Sequence, residues 1–247
     1  MSDMQLYQAY FDILKDVNPA FFDKKSINNL NYSGFSGLFV SSTPDIWEAG
    51  KRIMVIGRET RGWKIIDNDH PYISLDDYIS RAMQVQKNFL AEYIETKRDR
   101  KSSFFNFLRD VASIVGTGNV AWANLFCCDW KKSIPTKKNT THYDDILKIS
   151  ESLLKKQIEI LSPDIIIFAN GVSSAKIRRK YFPLDGEKKV CRDIEKYDDF
   201  NMPDIELISF TLNEKIKCYR INHPSNWTKP AREARKFLMR LIKNDIL

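Results

Sequence analysis

One run, Ile165-Ile166-Ile167-Phe168-Ala169, narrows the folds open to this chain more than any other stretch. Ser162-Pro163 opens it and Asn170-Gly171 closes it, so Asp164 to Ala169 reads as a short strand. Ile53 to Ile56, ending at Gly57, reads as a buried strand, and Val120 to Phe126, after Gly116-Thr117-Gly118, as another. Ile205 to Leu212 and Ile216 to Ile221 are expected to pair as a hairpin around Asn213-Glu214. Segments of helical period fill the gaps. Leu75 to Ile94 follows Ser74-x-x-Asp77, and a second helix is expected from about Ser103 to Val115. Tyr143, Ile146, Leu147, Leu153, Leu154, Ile158 and Leu161 share a face behind Thr141-x-x-Asp144. The last helix has Pro230 in its first turn and Ala231, Ala234, Phe237, Leu238, Leu241 and Ile242 at helical spacing. Short apolar runs alternating with helices predict an α/β sheet with crossover connections. No Gly/Ser/Pro-rich linker interrupts the chain, so residues 1–247 are expected to form one domain. The helical stretch at about 73–116 reads as a helical insertion within it, a lid or a subdomain.

Charge narrows the partners. Thirty-nine Lys and Arg face 32 Asp and Glu, a net charge of +7, and the positive residues are clumped. The clusters are Lys97-Arg98-Asp99-Arg100-Lys101, Lys131-Lys132, Lys137-Lys138, and Lys176 with Arg178-Arg179-Lys180. Each alone suits a solvated face, but four together suit a polyanion such as nucleic acid. No apolar run approaches the roughly 20 residues of a membrane span, and the start of the chain lacks a signal-peptide pattern. No membrane partner and a cytoplasmic location are therefore expected. Cys127, Cys128, Cys191 and Cys218 lack metal-ligand spacing and read as buried free thiols; no metal or other cofactor is expected.

Ligands of open parallel sheets bind outside the carboxyl ends of the strands. Gly57-Arg58-Glu59-Thr60-Arg61-Gly62-Trp63 follows the first strand, and Asn124 lies near the end of the second. Asn170-Gly171-Val172-Ser173-Ser174 follows the third, and Asn222-His223-Pro224-Ser225-Asn226-Trp227 the last. An acid, an amide, an imidazole, hydroxyls and two Trp thus fall at strand ends. This order resembles the uracil-DNA glycosylase superfamily, whose pattern is Gly-x-acid/amide, Asn, Gly-Ser and His-Pro-Ser after successive strands. The resemblance covers roughly Lys51 to Trp227. It implies a three-layer α/β/α sandwich around a central, mostly parallel sheet, acting as a monomer on DNA that contains a modified pyrimidine.

By the same resemblance, the protein flips a nucleotide out of the duplex and hydrolyses the bond between base and sugar, leaving an abasic site. Glu59 stands where the family places its water-directing residue, and its charge would stabilise an oxocarbenium-like sugar. His223 would donate to the departing base's oxygen. Asn124 would read the base edge, since its amide both donates and accepts, and Gly57, Arg61 and Trp63 complete the implied base pocket. Ser173, Ser174 and Ser225 would hold flanking phosphates, and Trp227 would wedge into the vacated stack. The structural alternatives are a solvated Glu59, His223 packed in a turn before Pro224, Asn124 capping a strand, and Trp227 packed beneath the last helix.

The sequence departs from strictly uracil-specific relatives, which carry Pro-Tyr after the catalytic acid. Thr60-Arg61 stands there instead, and a flexible cation would not exclude a substituent on the base's fifth carbon. The cysteines of the iron–sulfur branch are missing as well. The chain is similar in this to bacterial anti-phage glycosylases that remove sugar-decorated cytosines, with uracil repair as the alternative. Two other classes stay open: a non-catalytic DNA-binding or damage-sensing module on the same fold, and a hydrolase of free nucleosides.

Overall fold

The computed structural model describes residues 2–23, 32–67, 69–198 and 202–246. Its helices are α1 (Ser2–Leu14), α2 (Leu75–Glu95), α3 (Ser103–Val115), α4 (Tyr143–Leu161), α5 (Ala175–Tyr181) and α6 (Lys229–Ile246). Its strands are β1 (Ile53–Gly57), β2 (Val120–Asn124), β3 (Ile165–Phe168), β4 (Cys191–Glu195), β5 (Leu207–Leu212) and β6 (Ile216–Ile221). The strands form one sheet in the order β2-β1-β3-β6-β5-β4, with helices on both sides, as a three-layer α/β sandwich. Every residue of β1, β2 and β3 is buried, which is why these segments read as continuous apolar runs rather than alternating ones. The sheet is mixed, with its central strands parallel. β1, β3 and β6 run parallel, whereas β6, β5 and β4 are successively antiparallel.

The hairpin forms where expected. Asn213 and Glu214, the central residues of a turn in which the Lys215 amide donates to the Leu212 carbonyl at 3.3 Å, both have positive φ, 49° and 63°, the left-handed conformations of a turn whose twist matches the right-twisted arms. At α2, the Ser74 hydroxyl accepts from the Asp77 amide at 3.2 Å, as the box predicts. The box expected at α4 does not form. The helix starts at Tyr143 behind His142, one residue late for Thr141 to cap it. At α6 the Thr228 hydroxyl accepts from the Ala231 amide at 3.4 Å, and Pro230 follows in the first turn, where no N–H is needed.

The chain divides into two compact units. The first comprises Met1–Thr43, Arg58–Leu90 and Ala123–Ser162. Here α1 packs on α4 through Leu6, Tyr10 and Leu14, each burial worth roughly 1.5–3 kcal/mol. The Tyr10 hydroxyl donates to the Ser41 carbonyl at 2.7 Å, and the Tyr78 hydroxyl accepts from the Leu38 amide at 2.7 Å. The second unit comprises Pro44–Gly57, Ala91–Trp122 and Pro163–Leu247, and so holds nearly all of the sheet with α3, α5 and α6. In it α3 packs against β1 and α6, and α6 against β6. All four cysteines are buried, and none is in a disulfide. Among the described residues no helix is long and apolar enough to cross a membrane.

Candidate functional site

Parallel pairing aligns Ile56 with Phe168 and Phe168 with Arg220, so β1, β3 and β6 end at one edge of the sheet. Glu59 lies two residues past the end of β1. It is not solvated: its side chain is 2% exposed. Oε2 accepts from Arg58 Nε at 2.5 Å and Oε1 from Arg58 Nη2 at 3.2 Å, while Arg61 Nε lies 3.6 Å from Oε1. One carboxylate thus sits between two guanidiniums, of which Arg61 is mostly exposed. Sequence reasoning passes over Arg58, because nothing in an Arg-Glu dipeptide says that the two will fold onto each other.

The segment is pinned at several points within the first unit. The Phe126 amide donates to the Arg58 carbonyl at 2.9 Å, joining it to the stretch just past β2. Asn124, two residues before Phe126, is buried at the strand's end. Gly62 adopts φ +71°, and its amide donates to Asp129 Oδ2 at 2.6 Å. Asp129 is itself buried, and its other oxygen accepts from the Lys132 amide at 2.6 Å. Trp63, expected at the base pocket, is buried edge-on between Phe39 and Phe89, with centroids at 5.4 and 5.1 Å. It anchors the segment in the core.

The second unit holds the other residues. The Gly171 amide donates to the Ile221 carbonyl at 3.3 Å. Gly171 has φ +75°, and a Cβ there would sit 3.4 Å from the His223 amide. The loops after β3 and β6 therefore abut, and glycine permits it. His223 Nδ1 accepts from the Ser225 amide at 3.2 Å and lies 2.7 Å from the Ser225 hydroxyl. A neutral ring held this way carries its proton on Nε2, so Nε2 is its donor. The ring also stacks on Phe104 at 6.3 Å and 19°.

Ser173 and Ser225 are exposed, whereas Ser174 is buried, which separates two serines that sequence alone treats alike. Trp227 is not packed beneath α6. It is 58% exposed, and the Arg235 guanidinium lies 5.9 Å over its ring. Asn170 reads in the sequence only as part of a turn, yet it is fully buried and neither side-chain atom has a hydrogen-bond partner among the described residues. A buried amide left unpaired costs about 1–3 kcal/mol. Burial also pulls the Arg178 guanidinium down to about 10, aided by Arg220 and Arg179. Among the described residues, no group of three His, Cys, Asp or Glu could hold a metal ion.

No protein-family model matches the chain, and no curated protein matches it either. The residues alone carry the functional reading.

Proposed function

We infer that the chain is a DNA glycosylase that hydrolyses the bond joining a flipped-out pyrimidine to its sugar, the pyrimidine being enlarged at its fifth carbon or else uracil. The observation that carries this reading is the His223 ring. Its Nδ1 accepts from the Ser225 amide, so Nε2 is the donor that a departing base needs as negative charge grows on its oxygen. Water adds to the sugar carbon, the glycosidic electron pair leaves with the base, and an abasic site remains. Glu59, a carboxylate held by Arg58, supplies fixed negative charge for the cationic sugar and orients the water. Asn124 reads the base edge, and Gly57 lets the backbone come close to it. The exposed Arg61 leaves room for a bulky substituent and offers donors to its hydroxyls. Ser173 and Ser225, both exposed, suit flanking phosphates, and the exposed Trp227 suits a wedge.

One observation favours a second reading, a DNA-binding module without catalysis: both oxygens of Glu59 are already engaged by Arg58. An incision assay separates the two. Oligonucleotides carrying uracil, 5-hydroxymethylcytosine or its glucosylated form are incubated with the protein, and abasic sites are then cleaved with alkali. Strand scission at an enlarged pyrimidine is the expected result. Intact strands from all three, with DNA binding retained, would favour the binding module.

A further inference from the structure

Arg232, Arg235, Lys236 and Lys243 of α6 line a groove of about 440 Å³ that α3 closes on its other side. Asp110 is the one carboxylate among the described lining residues, and it is already paired with Arg98. Among the described residues Arg232, Lys236 and Lys243, all exposed, form no salt bridge. This stripe lies beside the helix's buried face of Ala231, Ala234, Phe237, Leu238 and Ile242. Four cations thus face a single lining carboxylate, Asp110.

We propose that this groove is a track for the phosphodiester backbone of nucleic acid. Three features favour that occupant. From Arg232 to Lys243 the helix advances about 16 Å at 1.5 Å per residue. Over that length one strand of nucleic acid presents several phosphates in a row. Cations strung along a line suit such a polymer, whereas a small anion calls for cations that converge. The half-buried Ile114 and Met239 supply an apolar floor between them, which suits sugars. At the Arg235 end stands Trp227, an exposed ring beside the cationic stripe and a ready stacking platform. The proposal rests on the groove's own charge and shape, and it stands whether or not the chain removes bases.

The test is fluorescence anisotropy with a short, unmodified, labelled duplex across a salt series. Wild-type protein is compared with Arg232→Ala/Lys236→Ala/Lys243→Ala and with a charge-matched control on α4, Lys148→Ala/Lys155→Ala/Lys156→Ala. Each lost phosphate contact should reduce the slope of log affinity against log salt by about 0.9, so the groove variant should lose roughly 2–3. Its Kd should rise at least about tenfold near 0.15 M salt, and the control should match wild type. Single reversals at exposed positions, Lys236→Glu and Lys243→Glu, carry the same expectation should the triple variant melt early. The proposal is overturned if groove and control variants behave alike, if wild-type protein does not bind the duplex, or if polyglutamate or phosphatidylserine vesicles bind more tightly. No bond is broken in this assay, so groove binding and base removal fail separately.

Discussion

Replacing Asp129 with Asn should loosen the segment that carries Glu59. The Asp129 carboxylate is buried and accepts from two backbone amides, Gly62 and Lys132, each at 2.6 Å. A hydrogen bond to a charged group is worth about 1.5–3 kcal/mol. Asn keeps the shape but turns one acceptor into a donor that faces an N–H, so about 2 kcal/mol should be lost. For a chain of this size each kcal/mol lowers Tm by about 2–4 °C, giving a fall of about 4–8 °C. Asp129→Ala removes both acceptors and should fall further, by less than twice as much, because water reaches the exposed Lys132. Gly62→Ala should also destabilise, by about 1–3 kcal/mol, since φ +71° strains any residue with a Cβ. Both substitutions act on one bond, so the double variant should lose less than the sum. Thermal melts followed by circular dichroism at neutral pH measure all of this. An Asp129→Asn protein that melts at the wild-type temperature would refute the reasoning.

At His223, alanine should slow single-turnover base release about 100- to 1,000-fold. Ser225→Ala should cost only about 3- to 10-fold, because it removes the hydroxyl but spares the amide bond to Nδ1. Equal losses in the two variants would mean that the imidazole donor is not what matters. Glu59→Gln should slow the same step while leaving DNA affinity within a few-fold, and a wild-type rate would remove Glu59 from the chemistry. Burial raises the Asp164 carboxyl, but hydrogen bonds from Arg52 and Gly50, with Arg52's charge, outweigh it and hold its pKa below the usual value. A depressed folded pKa means stability that is complete above the unfolded value of about 3.9 and is lost as pH falls through the folded one. Asp164→Asn should therefore melt below wild type at pH 7, with the gap closing in acid; a gap that stayed constant would contradict the linkage.

The central strands are legible in the sequence because burial on both faces leaves an unbroken apolar run between turn residues. Val120 to Phe126 reads too long, since Leu125 and Phe126 stay apolar after the chain has turned to meet the Arg58 carbonyl. Ile205 reads as part of a strand that in fact starts at Leu207, and its side chain is 55% exposed. In α1 the buried residues Leu6, Tyr10 and Leu14 are spaced by four, but Tyr7, Phe11 and Ile13 on other faces blur the period. The charged stretch of α5 resembles a solvated cluster until Arg178 is seen to be buried. Strand ends single out Glu59 two residues after β1, Asn124 as the last residue of β2 and His223 two residues after β6, since each strand is legible as an apolar run. Partners are not legible: the embrace of Glu59 by Arg58 and the stack of His223 on Phe104 depend on the fold. The α6 cations form no cluster in the sequence because they gather on a helix face, not along the chain.

At the far edge of the sheet, β4 buries only its first residue, Cys191, and turns Arg192, Asp193, Ile194 and Glu195 outward. Its register with β5 is irregular between Arg192 and Glu195, and Asp193 takes φ +50°. A strand so kinked and so charged is a poor template for another chain. An incoming strand would meet a bend where the ladder should continue, and charged side chains where a flat apolar surface would attract it. Such an edge also matters if copies gather along a phosphate backbone as proposed above, because crowding there would raise their local concentration. Straightening β4 by replacing Asp193 and neutralising Arg192 would offer an unbroken backbone edge to neighbouring copies, and solubility would suffer before stability.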